Sequence, residues 1–333
     1  MIVFGIESSC DETAAAVVKD GKEVLSSVVS SQIDTHKQFG GVVPEVASRL
    51  HVENISAVIE QAVQESGLTW DDIDCIAVTQ GPGLIGCLHV GVQAAKTLAM
   101  LYDKPLVPVN HLSAHIYANQ LVTDLKFPLL ALLVSGGNSE LIYMKDLTSF
   151  EILGETQDDA IGEAYDKVAR VMDLGYPGGP KIDALAKQGK PVYTLPKPKT
   201  AGEYDFSFSG LKSGVLQFVQ RMERRNETWT PEDLAASFQE TALNEIFDKV
   251  KKALDAHPEA VQFVVGGGVS ANSRLREKID ELAKAYPEVT FHVPPMKCCT
   301  DNAAMIAAAG AIAYENGRRA DFTLGADAAL ELM

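Results

Sequence analysis

Val109-Asn110-His111-Leu112-Ser113-Ala114-His115 sets two histidines four residues apart just after a short apolar strand. Near the other end of the chain, Pro294-Pro295-Met296-Lys297-Cys298-Cys299-Thr300-Asp301-Asn302 sets an aspartate after a strand and before a helix. Four residues slightly exceed one helical turn, so both imidazoles project from one face and can close on a single metal ion. Asp301 is the candidate third ligand. Taken alone, a His-x-x-x-His pair is as readily a surface pair or two satisfied core histidines. The order of elements around it decides the matter.

Outward from the histidines, the chain runs twice through one plan. Residues 2–7 are an apolar run, Ser8-Ser9-Cys10-Asp11-Glu12-Thr13 is a polar turn, and residues 14–18 and 23–29 complete a three-stranded meander around Asp20-Gly21. Residues 44–67 carry Val46, Leu50, Ile55, Val58, Ile59 and Val63 at helical spacing, with Pro44 at the start and Gly67 at the end. A strand at 73–79 leads into Gln80-Gly81-Pro82-Gly83-Leu84-Ile85-Gly86 and an apolar helix over 88–101. Strand, glycine-rich loop and helix is where α/β folds present N–H groups to an anion. It is not a Walker A loop, because Gly-Lys-Ser/Thr is missing. A strand at 104–109 then enters the histidine helix.

The plan begins again at Phe127. A strand at 128–134, the turn Ser135-Gly136-Gly137-Asn138 and strands at 140–143 and 150–153 repeat the meander. After an unmatched helical stretch, a strand at 261–265, Gly266-Gly267-Gly268-Val269-Ser270-Ala271-Asn272, a helix to Ala285, a strand at 289–293 and the Asp301 helix repeat the rest. The expected architecture is α/β and duplicated, with lobes at 1–126 and 127–333 and an inserted helical segment at about 155–256. In this alignment Gly81-Pro82-Gly83 matches Gly266-Gly267-Gly268, and the candidate metal ligands fall at equivalent places in the two halves, where they converge on one site if the halves face each other across a cleft.

Composition narrows the function classes. A formal charge of −16 and a pI near 4.9 exclude a surface that attracts nucleic acid everywhere, so any RNA contact is local or shared with a partner. Five cysteines without a C-x-x-C point to a reducing compartment. No apolar run approaches the ~18 residues a membrane span needs, and the N-terminus has no basic region before its apolar run. A soluble cytoplasmic protein is expected.

Several long motifs occur in one order: Glu7-Ser8-Ser9-Cys10-Asp11-Glu12-Thr13, the His111/His115 pair, Ser135-Gly136-Gly137-Asn138, Gly162-Glu163-Ala164-Tyr165-Asp166-Lys167, Tyr176-Pro177-Gly178-Gly179-Pro180, Gly266-Gly267-Gly268-Val269-Ser270-Ala271-Asn272 and Cys299-Thr300-Asp301-Asn302. Together they resemble the bacterial branch of the universal tRNA threonylcarbamoyladenosine transferase family, once labelled glycoprotein endopeptidases. The resemblance runs from Ile2 to about Gly310. It implies the duplicated actin/hexokinase-type (ASKHA) ATPase fold, two lobes around a central cleft. It also implies transfer of a threonylcarbamoyl group from threonylcarbamoyl-adenylate to the exocyclic amine of the adenosine 3′ to the anticodon, in tRNAs reading codons that begin with A.

By position, the resemblance makes His111, His115 and Asp301 the ligands of one divalent metal, iron or zinc. It makes Val134, Ser135, Gly136, Gly137, Asn138, Asp166, Gly179, Asp183 and Asn272 the binders of the adenylate, with ATP as a further adenine nucleotide. Implied partners are tRNA, a TsaB-like paralogue, a TsaE-like ATPase and a separate synthase that supplies the adenylate. Ala303 departs from the family, where glycine is common after Thr-Asp-Asn; it leaves the ligands untouched.

The chemistry fits these residue types. An acyl-phosphate needs its phosphate held and its carbonyl polarised, which glycine-turn N–H groups and a metal supply. Asp166 and Asp183 suit ribose hydroxyls, although either is also an ordinary helix-surface acid. Asp11 or Glu12, on the polar hairpin, is the candidate base for the poorly nucleophilic adenine amine. Basic contacts for tRNA are sought at Lys197 and Lys199, or at Arg221, Arg224 and Arg225 with Arg318 and Arg319, where solvated helix faces are the plain alternative. A small-molecule kinase of the same fold leaves the histidines idle. A metalloprotease lacks its general base, since Leu112 stands where His-Glu-x-x-His has glutamate. A non-catalytic nucleotide-binding scaffold has no use for metal ligands. Cys298 and Cys299 are competing thiolate ligands.

Overall fold

The computed structural model describes residues 1–197 and 199–332 and divides into two compact units, Met1–Leu125 with Met296–Met333, and Lys126–Pro295. In the first unit, β1 (Ile2–Glu7), β2 (Glu12–Lys19), β3 (Glu23–Ser31), β4 (Cys75–Gly81) and β5 (Leu106–Asn110) form one sheet in the order β3-β2-β1-β4-β5. β1 pairs antiparallel with β2 and parallel with β4, and β4 pairs parallel with β5. The helices of this stretch are α1 (Ile33–Lys37), α2 (Pro44–Ser66), α3 (Ile85–Tyr102) and α4 (His111–Tyr117).

β1 and β2 are apolar on both faces and buried along nearly their whole length, which requires cover on both sides of the sheet. α2 and α3 bring Ile55, Val58, Ala62, Val92 and Ala95 against Phe4, Ile6, Val17, Ile76 and Val78. β3, at the edge, keeps serines and a glutamate in solvent. The α2 helix ends where Gly67 takes a left-handed turn, φ 69°, as its sequence position predicts.

The second unit repeats the sheet. β6 (Leu129–Val134), β7 (Ser139–Met144), β8 (Glu151–Glu155), β9 (Gln262–Gly266) and β10 (Thr290–His292) run in the order β10-β9-β6-β7-β8. Read from β8, this is the first sheet again: an antiparallel meander, then two parallel strands. The duplication inferred from element order is therefore present in the strand pairing. Between β8 and β10 lie α5 (Ile161–Val171), α6 (Gly178–Ala186), α7 (Ser209–Arg225), α8 (Pro231–Ala256) and α9 (Ser273–Ala285). Leu130, Leu132, Tyr165, Phe206, Phe238 and Phe263 are among the side chains that fill this unit's core.

Two expectations are corrected here. The boundary after residue 126 falls between Leu125 and Lys126, but the second unit does not extend to the C-terminus. After β10 the chain rejoins the first unit, where α10 (Ala303–Glu315) packs on β1, β2, β4 and β5. The cause is legible in composition: α10 is buried continuously from Ala303 to Ile312 and consists almost wholly of alanine and aliphatic residues. It lies so close to the sheet that a Cβ on Gly310 would stand 2.3 Å from the Cβ of Ala77. Asp301, expected from the opposite half, thus belongs to the same unit as the histidines. Among the described residues no helix is long and apolar enough to cross a membrane.

Candidate functional site

Asn110 ends β5 and caps α4, its side-chain oxygen accepting from the N–H groups of Leu112 (2.8 Å) and Ser113 (3.1 Å). This cap fixes the start of a seven-residue helix whose first residue is His111. One turn on, His115 stands with its ring edge-on to His111, centroids 4.8 Å apart. Asp301 precedes the Asn302 cap of α10 and reaches both rings. Its Oδ1 lies 3.1 Å from His115 Nε2 and 3.6 Å from His111 Nε2. Among the described residues, His111, His115 and Asp301 form the cluster of potential ligands, with atoms all within 4.8 Å of one another. Neither Cys298 nor Cys299, the competing thiols, belongs to it.

Sequence reasoning missed the residue behind the cluster. Glu7 ends β1, is fully buried, and places Oε2 2.9 Å from His111 Nδ1. Thr79 Oγ1 donates to the same oxygen (2.7 Å) and the Ser9 N–H to the other. A carboxylate on Nδ1 fixes the tautomer that leaves Nε2 free to bind a metal. The signal was a charge at the end of an otherwise apolar strand.

The electrostatics agree. Burial opposes charge on Glu7, yet the His111 imidazolium beside it holds its carboxyl below the usual range. Burial likewise disfavours the His111 cation, but Glu7 and Asp301 raise its pKa to about 9. Burial also opposes ionisation of Asp301, and the two histidines outweigh it, holding the carboxyl at about 2. Such a site attracts positive charge, and two imidazole Nε2 atoms with one carboxylate oxygen are a fitting donor set for a divalent transition metal. Binding replaces the imidazolium proton.

The polar hairpin lies beside this cluster. Asp11 is buried, and Glu12 accepts from Ser31 Oγ at 3.3 Å. Burial, then the charges of Asp301 and Asp11, push the Glu12 carboxyl up to about 10, which leaves it protonated at neutral pH. His51, wholly buried on α2, ties the hairpin down through Thr13 Oγ1 (2.7 Å) and the Cys10 carbonyl (2.9 Å).

The loop Gly81-Pro82-Gly83 is not the anion cradle its glycines predict. A Cβ on Gly83 would stand 2.6 Å from the Ser9 carbonyl oxygen, and the N–H groups of Gly83 and Leu84 donate to Ala328 (3.3 Å) and Ser9 (2.7 Å). The glycines allow the hairpin and the C-terminal tail to pack against the loop, and its donors are used within the protein.

In the second unit the predicted nucleotide residues gather around the ends of β6 and β9. The Gly267 backbone, φ 90°, touches Val134, where a Cβ would stand 2.3 Å from the carbonyl oxygen. Ser135 Oγ accepts from the Asn138 N–H (3.0 Å), closing a turn in which side-chain positions at Gly136 and Gly137 face open space. Gly162, at the start of α5, donates to the Ser135 carbonyl (3.1 Å). Asp166 accepts from the Gly178 N–H at 2.7 Å, beside Gly179, whose side-chain position is also open. Asp183 accepts from Ser273 Oγ (2.8 Å) and pairs with Lys187 (3.2 Å). Asn272 caps α9 through Leu275 N–H (3.0 Å) and donates to Gln239 (2.8 Å), so both ends of its side chain serve the fold.

Of the basic residues, Arg221, Arg224 and Arg225 lie in the second unit and Arg318 and Arg319 in the first, so they do not share one element. Arg319 is stacked on Tyr314, 3.8 Å from the ring centroid. Lys197 and Lys199 are exposed on either side of a position outside the described residues.

The arrangement has counterparts. Two solved structures share the fold at low identity: an activator of 2-hydroxyisocaproyl-CoA dehydratase from Clostridium difficile with bound ADPNP (TM-score 0.53, 15% identity, 95% of this chain and 97% of that one) and HypF of T. kodakarensis (TM-score 0.60, 16% identity, 95% and 48%). They bear out the duplicated actin/hexokinase-type plan. Proteins called tRNA N6-adenosine threonylcarbamoyltransferase from Bacillus anthracis and Geobacillus kaustophilus (strain HTA426) are 54% and 53% identical over 332 residues. Those alignments cover 99% of this chain and 96% and 97% of the relatives. The family model described as "TsaD: tRNA N6-adenosine threonylcarbamoyltransferase" matches residues 23–308. The chain belongs to the TsaD family of tRNA N6-adenosine threonylcarbamoyltransferases.

Proposed function

We propose that this protein transfers the threonylcarbamoyl group of threonylcarbamoyl-adenylate to the N6 amine of the adenosine 3′ to the anticodon, in tRNAs reading codons that begin with A, and releases AMP. The observation that carries the reading is the near-full-length identity of 54% to relatives bearing that activity in their name. The His111/His115/Asp301 cluster supports it, since a kinase of this fold has no use for it.

The adenine N6 attacks the carbamoyl carbon, the bond from that carbon to the phosphate oxygen breaks, and the phosphate leaves on AMP. A metal ion, iron or zinc, held by His111, His115 and Asp301 supplies Lewis-acid polarisation of the carbonyl when bound. Glu7 holds His111 in register for that role. Gly136, Gly137 and Gly179 offer open backbone positions to the phosphate side of the adenylate, with Val134, Ser135 and Asn138 framing the turn, and Asp166 and Asp183 present carboxylates to ribose hydroxyls. Asp11 or Glu12, on the polar hairpin beside the cluster, takes the N6 proton. A synthase supplies the adenylate, and a TsaB-like paralogue and a TsaE-like ATPase act with this chain in the cytoplasm.

Nucleoside mass spectrometry of unmodified tRNA, incubated with preformed adenylate, the partners and this protein, tests the reading. Modified adenosine with equal AMP is expected. A phosphorylated small molecule formed from ATP, with tRNA unchanged, would move the assignment to a kinase.

A further inference from the structure

The exposed face of α7 lines a basic surface groove on this acidic chain. Leu211, Gly214, Val215, Phe218 and Met222 bury one side of the helix. On the other, Gln217, Gln220, Arg221, Arg224 and Arg225 recur at intervals of three and four, all exposed, and line a depression of about 240 Å³. The stripe spans about 12 Å of helix axis.

These arginines are not spent on the protein's own acids. The chain carries 45 acidic against 29 basic residues, yet Arg224 has no ion-pair or hydrogen-bond partner among the described residues. Arg221 rests on the Phe218 ring, 5.5 Å from its centroid, a contact that leaves its N–H groups available. Arg225 makes one long pair with Glu227, at 3.9 Å and in solvent, which is worth little. Arg224 and Arg225 also complement the C-terminal end of the helix dipole. That role asks for charge in the last turn only; it does not account for Arg221 a turn earlier or for the two flanking amides.

We infer that this face of α7 is a contact site for the phosphate backbone of the tRNA substrate. Guanidinium forks match phosphate oxygens bidentately, and glutamines add neutral donors to phosphate or sugar. With a net charge of −16, the chain repels RNA at long range, so contact has to be concentrated where arginines stand unopposed. The inference rests on the proposed tRNA activity and adds to it a place on the molecule.

The test is tRNA binding by the full chain across a KCl series, for wild type and for Arg221→Gln/Arg224→Gln/Arg225→Gln and the corresponding triple lysine variant. The glutamine variant should bind roughly 10- to 100-fold more weakly at low salt, with the slope of log affinity against log salt reduced by about 2 to 3. The lysine variant should keep most of the slope, which a purely structural role would not produce. Equal affinity and slope in wild type and glutamine variant, or no binding by wild type at any salt, would overturn the site. Wild-type binding with an arginine-dependent slope but no modified adenosine would instead overturn the proposed reaction and leave the groove standing.

Discussion

Glu7 Oε2 lies 2.9 Å from His111 Nδ1, at the buried end of β1, with β4 between it and β5, the strand that leads into the histidine helix. The pair links the core of the first sheet to the His111/His115/Asp301 cluster, because Glu7 is itself held by Thr79 Oγ1 on β4 and by the Ser9 N–H. Glu7→Gln should lower metal affinity roughly 10- to 100-fold while leaving the protein folded. Chelator competition followed by metal analysis checks this.

The same cluster separates the carboxylate from the thiols. Asp301→Ala should purify with little metal, whereas Cys298→Ser and Cys299→Ser should retain it, since neither thiol joins the three ligand atoms. Metal-to-protein ratios of the three variants decide the point. A metal-free Cys299→Ser protein would place a thiolate in the site.

α10 holds Asp301 in place through an apolar interface. Ile306, fully buried within it, should cost about 2–5 kcal/mol when truncated to alanine, from lost transfer energy and a residual cavity. Denaturant unfolding should show an earlier transition, and metal retention should weaken with it.

Asp158 gives a pH prediction away from the metal. Partial burial opposes its charge, but Ser207 Oγ (2.6 Å), the Phe208 N–H (2.7 Å) and Ser209 all donate to it, and its carboxyl is held below the ordinary value of 3.8. A folded-state value below the unfolded one means the stabilisation is fully present above the unfolded value and is lost as pH falls through the folded one. Asp158→Asn should therefore lower the melting temperature at neutral pH and flatten its further fall in acid, a comparison that thermal scans across pH can make.

Much of this was legible in the residues. Each half of the chain shows its meander and its two later strands as apolar runs punctuated by Asp20-Gly21, Ser135-Gly136-Gly137-Asn138 and the glycine loops, because those turns need polar or small residues. The His111/His115 spacing and the Asp301 motif picked out three side chains that the fold does bring within 4.8 Å of one another. What pattern could not supply was long-range packing. Element order put Asp301 in the second half, while the apolar surface of α10 takes it to the first unit. Glycines at 81 and 83 look identical to those of an anion loop until Ser9 and the tail are seen against them. Glu7 was visible only as one letter of a motif, since a carboxylate meets a histidine 104 positions away through the sheet.

The central claim is that transfer to tRNA depends on the His111/His115/Asp301 centre. The direct measurement is the yield of modified adenosine per turnover, with bound metal quantified in the same samples, for wild type and His111→Ala supplied with identical adenylate, tRNA and partners. The account predicts that the variant loses metal and product together while still binding tRNA. Full product from a His111→Ala protein without metal would contradict it.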